Sequence, residues 1–92
     1  MYITRPTKQY RRSLKNLLRS GSFDDNELQK VIDTLSCGKM LELKYRNHKL
    51  QGEFSDCFEC HLNNNLLFIY RIDEKLKILS IIDIGTHSDL FE

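Results

Sequence analysis

The stretch Leu66-Leu67-Phe68-Ile69-Tyr70-Arg71-Ile72, then Asp73-Glu74-Lys75, then Leu76 to Ile84, decides the fold. Both long runs are rich in β-branched, aromatic and aliphatic residues, and the charged trio between them is a turn signal. They predict two strands. Upstream, from Glu53, the period is also two. Phe54, Phe58, Cys60 and Leu62 fall on one face, and Glu53, Ser55, Cys57, Glu59 and His61 on the other. Asn63-Asn64-Asn65 reads as the turn that joins this strand to the next.

The N-terminal half has a different period. Tyr10, Leu14, Leu17 and Leu18 recur as one helical stripe. Pro6 suits the first turn of that helix and Gly21 its end. Asp24 with Glu27 reads as a capping box opening a second helix. Leu28, Val31, Ile32 and Leu35 form its stripe, and Gly38 ends it. The short connection suggests an antiparallel helix pair. Met1 to Thr4 reads as a short strand, and residues 39–52, without a clear period, as a connecting segment. The order β-α-α-β-β-β predicts one α+β domain over residues 1–92, with two N-terminal helices packed on a mostly antiparallel twisted sheet.

The chain has 92 residues, 40% of them hydrophobic, with five Phe and four Tyr, enough for one small core without metal or disulfide support. Net charge is +1, but its distribution is uneven. Arg5, Lys8, Arg11, Arg12, Lys15 and Arg19 precede the first acid, Asp24. A basic helix attracts polyanions, although a solvated helix face has the same composition. The polar N-terminus lacks a signal peptide, and no apolar run approaches the roughly 20 residues of a membrane span. Three cysteines, an odd number, suit a reduced compartment. Cytoplasm is the expected location.

Chemistry concentrates on three histidines, His48, His61 and His87. Histidine titrates nearest neutral pH, so three of them with a carboxylate can form an acid–base site. Glu59 and His61 lie two apart in a predicted strand and share its polar face. The bland alternative is an exposed ion pair on a solvated sheet. Cys57-Phe58-Glu59-Cys60-His61 spells the c-type haem attachment pattern, but the alternation puts the two cysteines on opposite faces of a strand, and no export signal accompanies them. Cys60 then reads as a core residue and Cys57 as a surface thiol. No histidine pair has zinc-ligand spacing. His48 alone reads as a surface histidine, and Phe91 as either an anchor for the tail or a base-stacking surface.

Tyr45-Arg46-Asn47-His48-Lys49-Leu50-Gln51-Gly52 resembles the Y-x-x-H-x-L-x-G segment of the YafQ branch of the RelE/ParE toxin superfamily. Phe58-Glu59-Cys60-His61-Leu62, Leu67-Phe68-Ile69-Tyr70 and Gly85-Thr86-His87-Ser88-Asp89-Leu90-Phe91 look like the following blocks of that branch, in order. The resemblance implies a RelE-like fold and the toxin of a type II toxin–antitoxin pair. That toxin would be a ribosome-dependent endoribonuclease working without metal or cofactor. His48, His61 and His87 match the family's catalytic histidines, Glu59 matches an acidic position, and Phe91 the C-terminal aromatic that helps position RNA. Asn65 stands where such sequences usually place an acid. The expected substrate-binding set is Asn65, Phe91, Arg11, Arg12, Lys15, Arg46 and Lys49. The implied partners are a cognate antitoxin, the A site of the 30S ribosome and mRNA, with operator DNA reached through the antitoxin and no membrane. The alternatives are a non-enzymatic binder of DNA gyrase, as in the ParE branch, or a catalytically weakened antitoxin-binding homologue.

Overall fold

The computed structural model describes residues 1–21, 23–63 and 65–91. In chain order it runs β1 (Ile3–Pro6), α1 (Lys8–Ser20), α2 (Asp25–Ser36), β2 (His48–Lys49), β3 (Phe58–His61), β4 (Leu66–Asp73), β5 (Ile78–Thr86) and α3 (His87–Phe91). The sheet order is β1-β5-β4-β3-β2, with β1 parallel to β5 and every other pair antiparallel. The expected α+β architecture is present. Its sheet gains β2 from the segment expected to be a connection, and its C-terminus gains α3.

The helix ends follow side-chain chemistry. Pro6 closes β1 instead of entering α1, and Thr7 caps the helix by accepting from the Tyr10 amide at 3.0 Å. Gly21 ends α1 with φ 74°, in the left-handed region where glycine carries no steric cost. Asp24 caps α2 by accepting from the Asn26 amide. Glu27 does not complete the expected box. Its carboxylate reaches across to the backbone and side-chain amides of Asn63, at 3.0 and 2.7 Å, and so ties α2 to the end of β3.

One sheet face carries the core. Cys60, Phe68 and Ile84 lie side by side on β3, β4 and β5, and Tyr10, Leu28, Val31 and Leu35 pack over them from the helices. The opposite face, here the outer face, carries the intervening row Glu59, Ile69 and Asp83 and the row His61, Leu67 and Gly85. A β-bulge just beyond the Glu59 row, between Ile69 and Tyr70 of β4, explains a break in period along β5. Ile69 faces Asp83 but Tyr70 faces Ile81, so Ile82 is the inserted residue. Leu79, Ile81 and Ile84 can then all face the core despite their mixed parity.

Several local expectations are corrected. The period-two segment from Glu53 is a strand only at Phe58–His61, and Gly52–Phe54 forms a single 3₁₀ turn. Phe54 therefore does not join the core face; it meets Phe91. Cys57 is buried, not a surface thiol, and burial pushes its pKa up, which makes it an inert group. The second long strand starts at Ile78, and Leu76 is exposed in the turn before it. Of the Asn63-Asn64-Asn65 turn, Asn64 lies outside the described residues; Asn65 has φ 61°, a conformation asparagine tolerates. No helix among the described residues is long and apolar enough to cross a membrane.

Candidate active site

The two-residue strand β2 exists to deliver one histidine. His48 pairs directly with Glu59 across the sheet, and His61 lies two residues further along β3 on the same face. Three groups distant in sequence thereby meet. His48 Nε2 and His61 Nε2 each stand 3.4 Å from Glu59 Oε1. The Glu59 residue is only 7% exposed, so an ion pair on a solvated face is not what forms. Among the described residues Glu59 is the one buried charged residue, and it is placed where two imidazoles compensate it.

Arg46 fixes both rings. A guanidinium can only donate, so its bond to His61 Nδ1 at 3.1 Å leaves that nitrogen as acceptor. A neutral His61 then carries its hydrogen on Nε2, toward Glu59. The Arg46 backbone carbonyl can only accept, so His48 Nδ1, 2.8 Å away, carries a hydrogen. Arg46 reaches both rings because its backbone is left-handed, with φ 48° and ψ 47°. The next residue anchors it: the Tyr70 hydroxyl donates to Asn47 Oδ1 at 2.7 Å, joining this turn to the core. His61 is held below the ordinary histidine pKa. Burial is the largest cause and the Arg46 charge the next; Glu59 opposes them and His48 adds to them.

One ligand atom from each of His48, Glu59 and His61 lies within 4.8 Å of the others. The 3.4 Å separations match the ligand–ligand edge of a tetrahedral site with bonds of about 2.1 Å. The donor set fits a divalent ion, although the Arg46 cation beside it opposes one. Sequence spacing hid this cluster because strand register, not helical repeat, assembles it.

His87 and Phe91 form a second group. The Thr86 hydroxyl accepts from the Asp89 amide at 3.2 Å and Asp89 Oδ2 accepts from the Thr86 amide at 3.0 Å, a reciprocal cap that turns the chain from β5 into α3. His87 and Phe91 have ring centroids 5.2 Å apart, and Phe91 meets Phe54 edge-on at 6.2 Å. His61 and Gly85 flank Leu67 on β3, β4 and β5, so the end of β5 stands two strands, roughly 10 Å, from His61. His87 thus lies at the same end of the sheet, outside the Glu59 cluster. Asn65 is exposed at the turn between β3 and β4, and Lys49 on β2 is exposed beside His48. Arg11, Arg12 and Lys15 project from the exposed surface of α1, apart from the cluster. Asn47, Tyr70 and Phe54 support the site without a sequence pattern that would have singled them out.

The model of a family described as bacterial toxins of type II toxin–antitoxin systems, YafQ, matches residues 2–92. The chain belongs to this family. A metal-bound toxin from Helicobacter pylori is 35% identical, with a TM-score of 0.91 over 99% of this chain and 100% of that one. The Escherichia coli DinJ-YafQ toxin–antitoxin complex contains a chain 26% identical, with a TM-score of 0.85 over 99% and 98% of the two chains. YafQ of E. coli strain BL21(DE3), 22% identical, shares the fold with a TM-score of 0.88 over the full length of both. No curated protein sequence matches this YafQ-family chain.

Proposed function

We propose that this YafQ-family toxin is a ribosome-dependent endoribonuclease that cuts mRNA through the RNA's own 2′-hydroxyl and is held in check by a cognate antitoxin. The observation that carries the reading is the convergence of His48 and His61 on Glu59, with Arg46 bound to both rings. A base takes the 2′-hydroxyl proton, the 2′-oxygen bonds to phosphorus, the P–O5′ bond breaks, and an acid protonates O5′. The products are a 2′,3′-cyclic phosphate and a 5′-hydroxyl.

The entering and leaving oxygens are apical and opposed in the phosphorane, so base and acid stand on opposite sides of it. His48 and His61 contact the same carboxylate oxygen and therefore share one side. His61, favoured in its neutral form, is the base. His87, beyond the cluster on α3, is the acid. Arg46 turns from His61 Nδ1 to a phosphate oxygen, freeing the lone pair as it brings charge to the phosphorane. His48 donates through Nδ1 to the Arg46 carbonyl and faces Glu59 through Nε2, which holds the ring beside the phosphate. Phe91 stacks on a base beside the scissile bond, Asn65 hydrogen-bonds substrate, and Lys49 with Arg11, Arg12 and Lys15 meets phosphates of mRNA or ribosomal RNA. One acid–base pair contributes about 10² to 10⁴ in rate, so positioning in the 30S A site must add much of the remainder. The E. coli complex supports an antitoxin partner, through which operator DNA would be bound. Such a substrate puts the working enzyme in the cytoplasm.

The test is incubation of antitoxin-free protein with programmed ribosomes, followed by mapping of mRNA 5′ ends. Wild type should cleave, and His61→Ala and His87→Ala should each lose about 10²-fold or more, with antitoxin binding kept in both and melting unchanged in His87→Ala. A well-folded wild type that leaves mRNA intact overturns the reading. Inhibition of DNA gyrase by the same protein would assign it to the binding class instead.

A further inference from the structure

The outer face holds a cavity of about 280 Å³ beside the Glu59 cluster. Its apolar walls are Phe54, Ile69, Ile82 and Leu90. Ile69 is the direct cross-strand neighbour of both Glu59 and Asp83, so the cavity continues the histidine cluster along one row of the sheet. The β-bulge brings Ile82 and Asp83 together at its rim, and α3 brings Leu90 over it.

The cavity's polar groups offer open acceptors. Thr7, also at the wall, has spent its hydroxyl: it donates to the Ile82 carbonyl and accepts from the Tyr10 amide. Gln9 donates through Nε2 to Ser13 Oγ at 3.3 Å, which leaves its carbonyl oxygen as an acceptor. Ser13 in turn donates to Asp83 Oδ1 at 2.6 Å, and the Ile84 amide donates to the same oxygen at 2.8 Å. Among the described residues no donor meets Asp83 Oδ2. One carboxylate oxygen is thus clamped, and the other is left as an open acceptor on the half-buried Asp83 at the cavity wall.

We propose that this cavity is a nucleobase subsite that takes a base bearing an exocyclic amino group and rejects uracil. The inference rests on the RNA-cleaving reading above and deepens it to base selection. The flat aromatic ring of Phe54 and the aliphatic walls suit the faces of a base. The acceptors Asp83 Oδ2 and Gln9 Oε1 suit the amino groups of adenine, cytosine or guanine. Uracil brings one N–H flanked by two carbonyls, and those carbonyls would face the carboxylate. Glu59 and Asp83 lie two strands apart, roughly 10 Å, on the scale of one nucleotide from phosphate to base edge. A phosphate at the histidine cluster therefore leaves one neighbouring base within reach of Asp83.

Asp83→Asn is the informative variant, because its amide keeps an acceptor for Ser13 and the Ile84 amide while offering an N–H donor to the cavity. Cleavage sites on programmed ribosomes should show one position near the cut depleted of uracil by about tenfold, the effect of roughly 1.4 kcal/mol. In Asp83→Asn that depletion should disappear. Phe54→Leu should weaken cleavage at all sites without changing the preference. Amide shifts of Ile69, Ile82 and Asp83 on titration with short oligo(rA), oligo(rC) and oligo(rU) read the subsite without catalysis. Shifts with the first two and not the third support it even if wild type proves unable to cleave. Equal response to oligo(rU), no response to any oligomer, or a cut-site pattern unaltered in a folded Asp83→Asn protein overturns it.

Discussion

At the scale of single residues, Arg46 carries more of the site than its surface position suggests. It accepts from one histidine through its carbonyl and donates to the other through its guanidinium. Replacing it with methionine keeps the bulk of the side chain and removes the charge. The second-largest cause of the lowered His61 pKa then disappears while burial remains, so that pKa should climb part of the way back. A base works when neutral, so the rising limb of kcat/KM against pH should move to higher pH in Arg46→Met. The plateau should also fall, by about 10-fold or more, as a phosphate contact is lost. An unmoved limb would detach Arg46 from the base. Asn65 presents the opposite case. Its left-handed backbone gives it a conformational reason to be asparagine, and aspartate tolerates the same geometry. Asn65→Asp should therefore fold normally, and the restored acid should increase cleavage by keeping a nearby histidine protonated to higher pH. Superimposable pH–rate profiles of the two proteins would mean that position 65 serves only the turn.

At the scale of elements, the shortest pieces matter most. Two residues of β2 and five of α3 deliver His48 and His87, while the long strands supply a rigid floor. Gly85 shows how tightly α3 is seated. A Cβ there would stand 3.1 Å from Asp89 Cβ and 3.3 Å from Asp89 Oδ2. Gly85→Ala should push Asp89 out of its reciprocal bond with Thr86 and tilt α3 away from β5. Because a misplacement of about 1 Å can cost roughly 10²-fold, cleavage should fall much further than the melting temperature. Parallel loss of both would make Gly85 a folding residue instead. These elements also mark where sequence reading ends. The Leu66–Ile72 run, the α1 and α2 stripes and the Asp24 cap were legible because each is a periodic or local signal. The His48–Glu59 pairing was not, because two residues of strand carry no period and cross-strand register has no sequence spacing. α3 was missed because five residues cannot show a helical stripe. Cys57 departs from the alternation because the 3₁₀ turn at Gly52–Phe54 interrupts the period upstream of β3. The three histidines and Glu59 were picked out by residue type and family resemblance; only the fold shows which of them touch.

At the scale of the whole molecule, one buried core serves both the fold and the site. Cys60 neighbours Glu59 in sequence, Tyr70 anchors Asn47 beside Arg46, and Tyr10 meets Phe68 edge-on where α1 packs on the sheet. Burial raises all three of their pKa values. The Cys60 thiol moves from 9.0 to about 12, and the Tyr10 and Tyr70 hydroxyls move from 10.0 to about 12. The sign of the resulting pH dependence follows from which state holds the protons. Below about pH 9 the thiol and both hydroxyls are protonated in the folded and the unfolded chain alike, so these groups leave stability unchanged. Above it the unfolded chain releases the Cys60 proton while the folded chain keeps it, and above about pH 10 the two tyrosines add to the difference. Stability should therefore hold steady from neutral pH to about 9 and then decline continuously toward about 12, where the folded groups ionise too. Each unit between the two pKa values of a group is worth about 1.4 kcal/mol. Three such groups make the decline large against the roughly 5–15 kcal/mol that holds a typical domain folded. Urea midpoints measured between pH 7 and 11 should show this break. Cys60→Ala should start from a lower midpoint, because of the cavity, yet lose less between pH 9 and 10 than wild type does. A midpoint that stays level to pH 11 would mean that these three groups open to water, and the site they support would then be looser than its geometry implies.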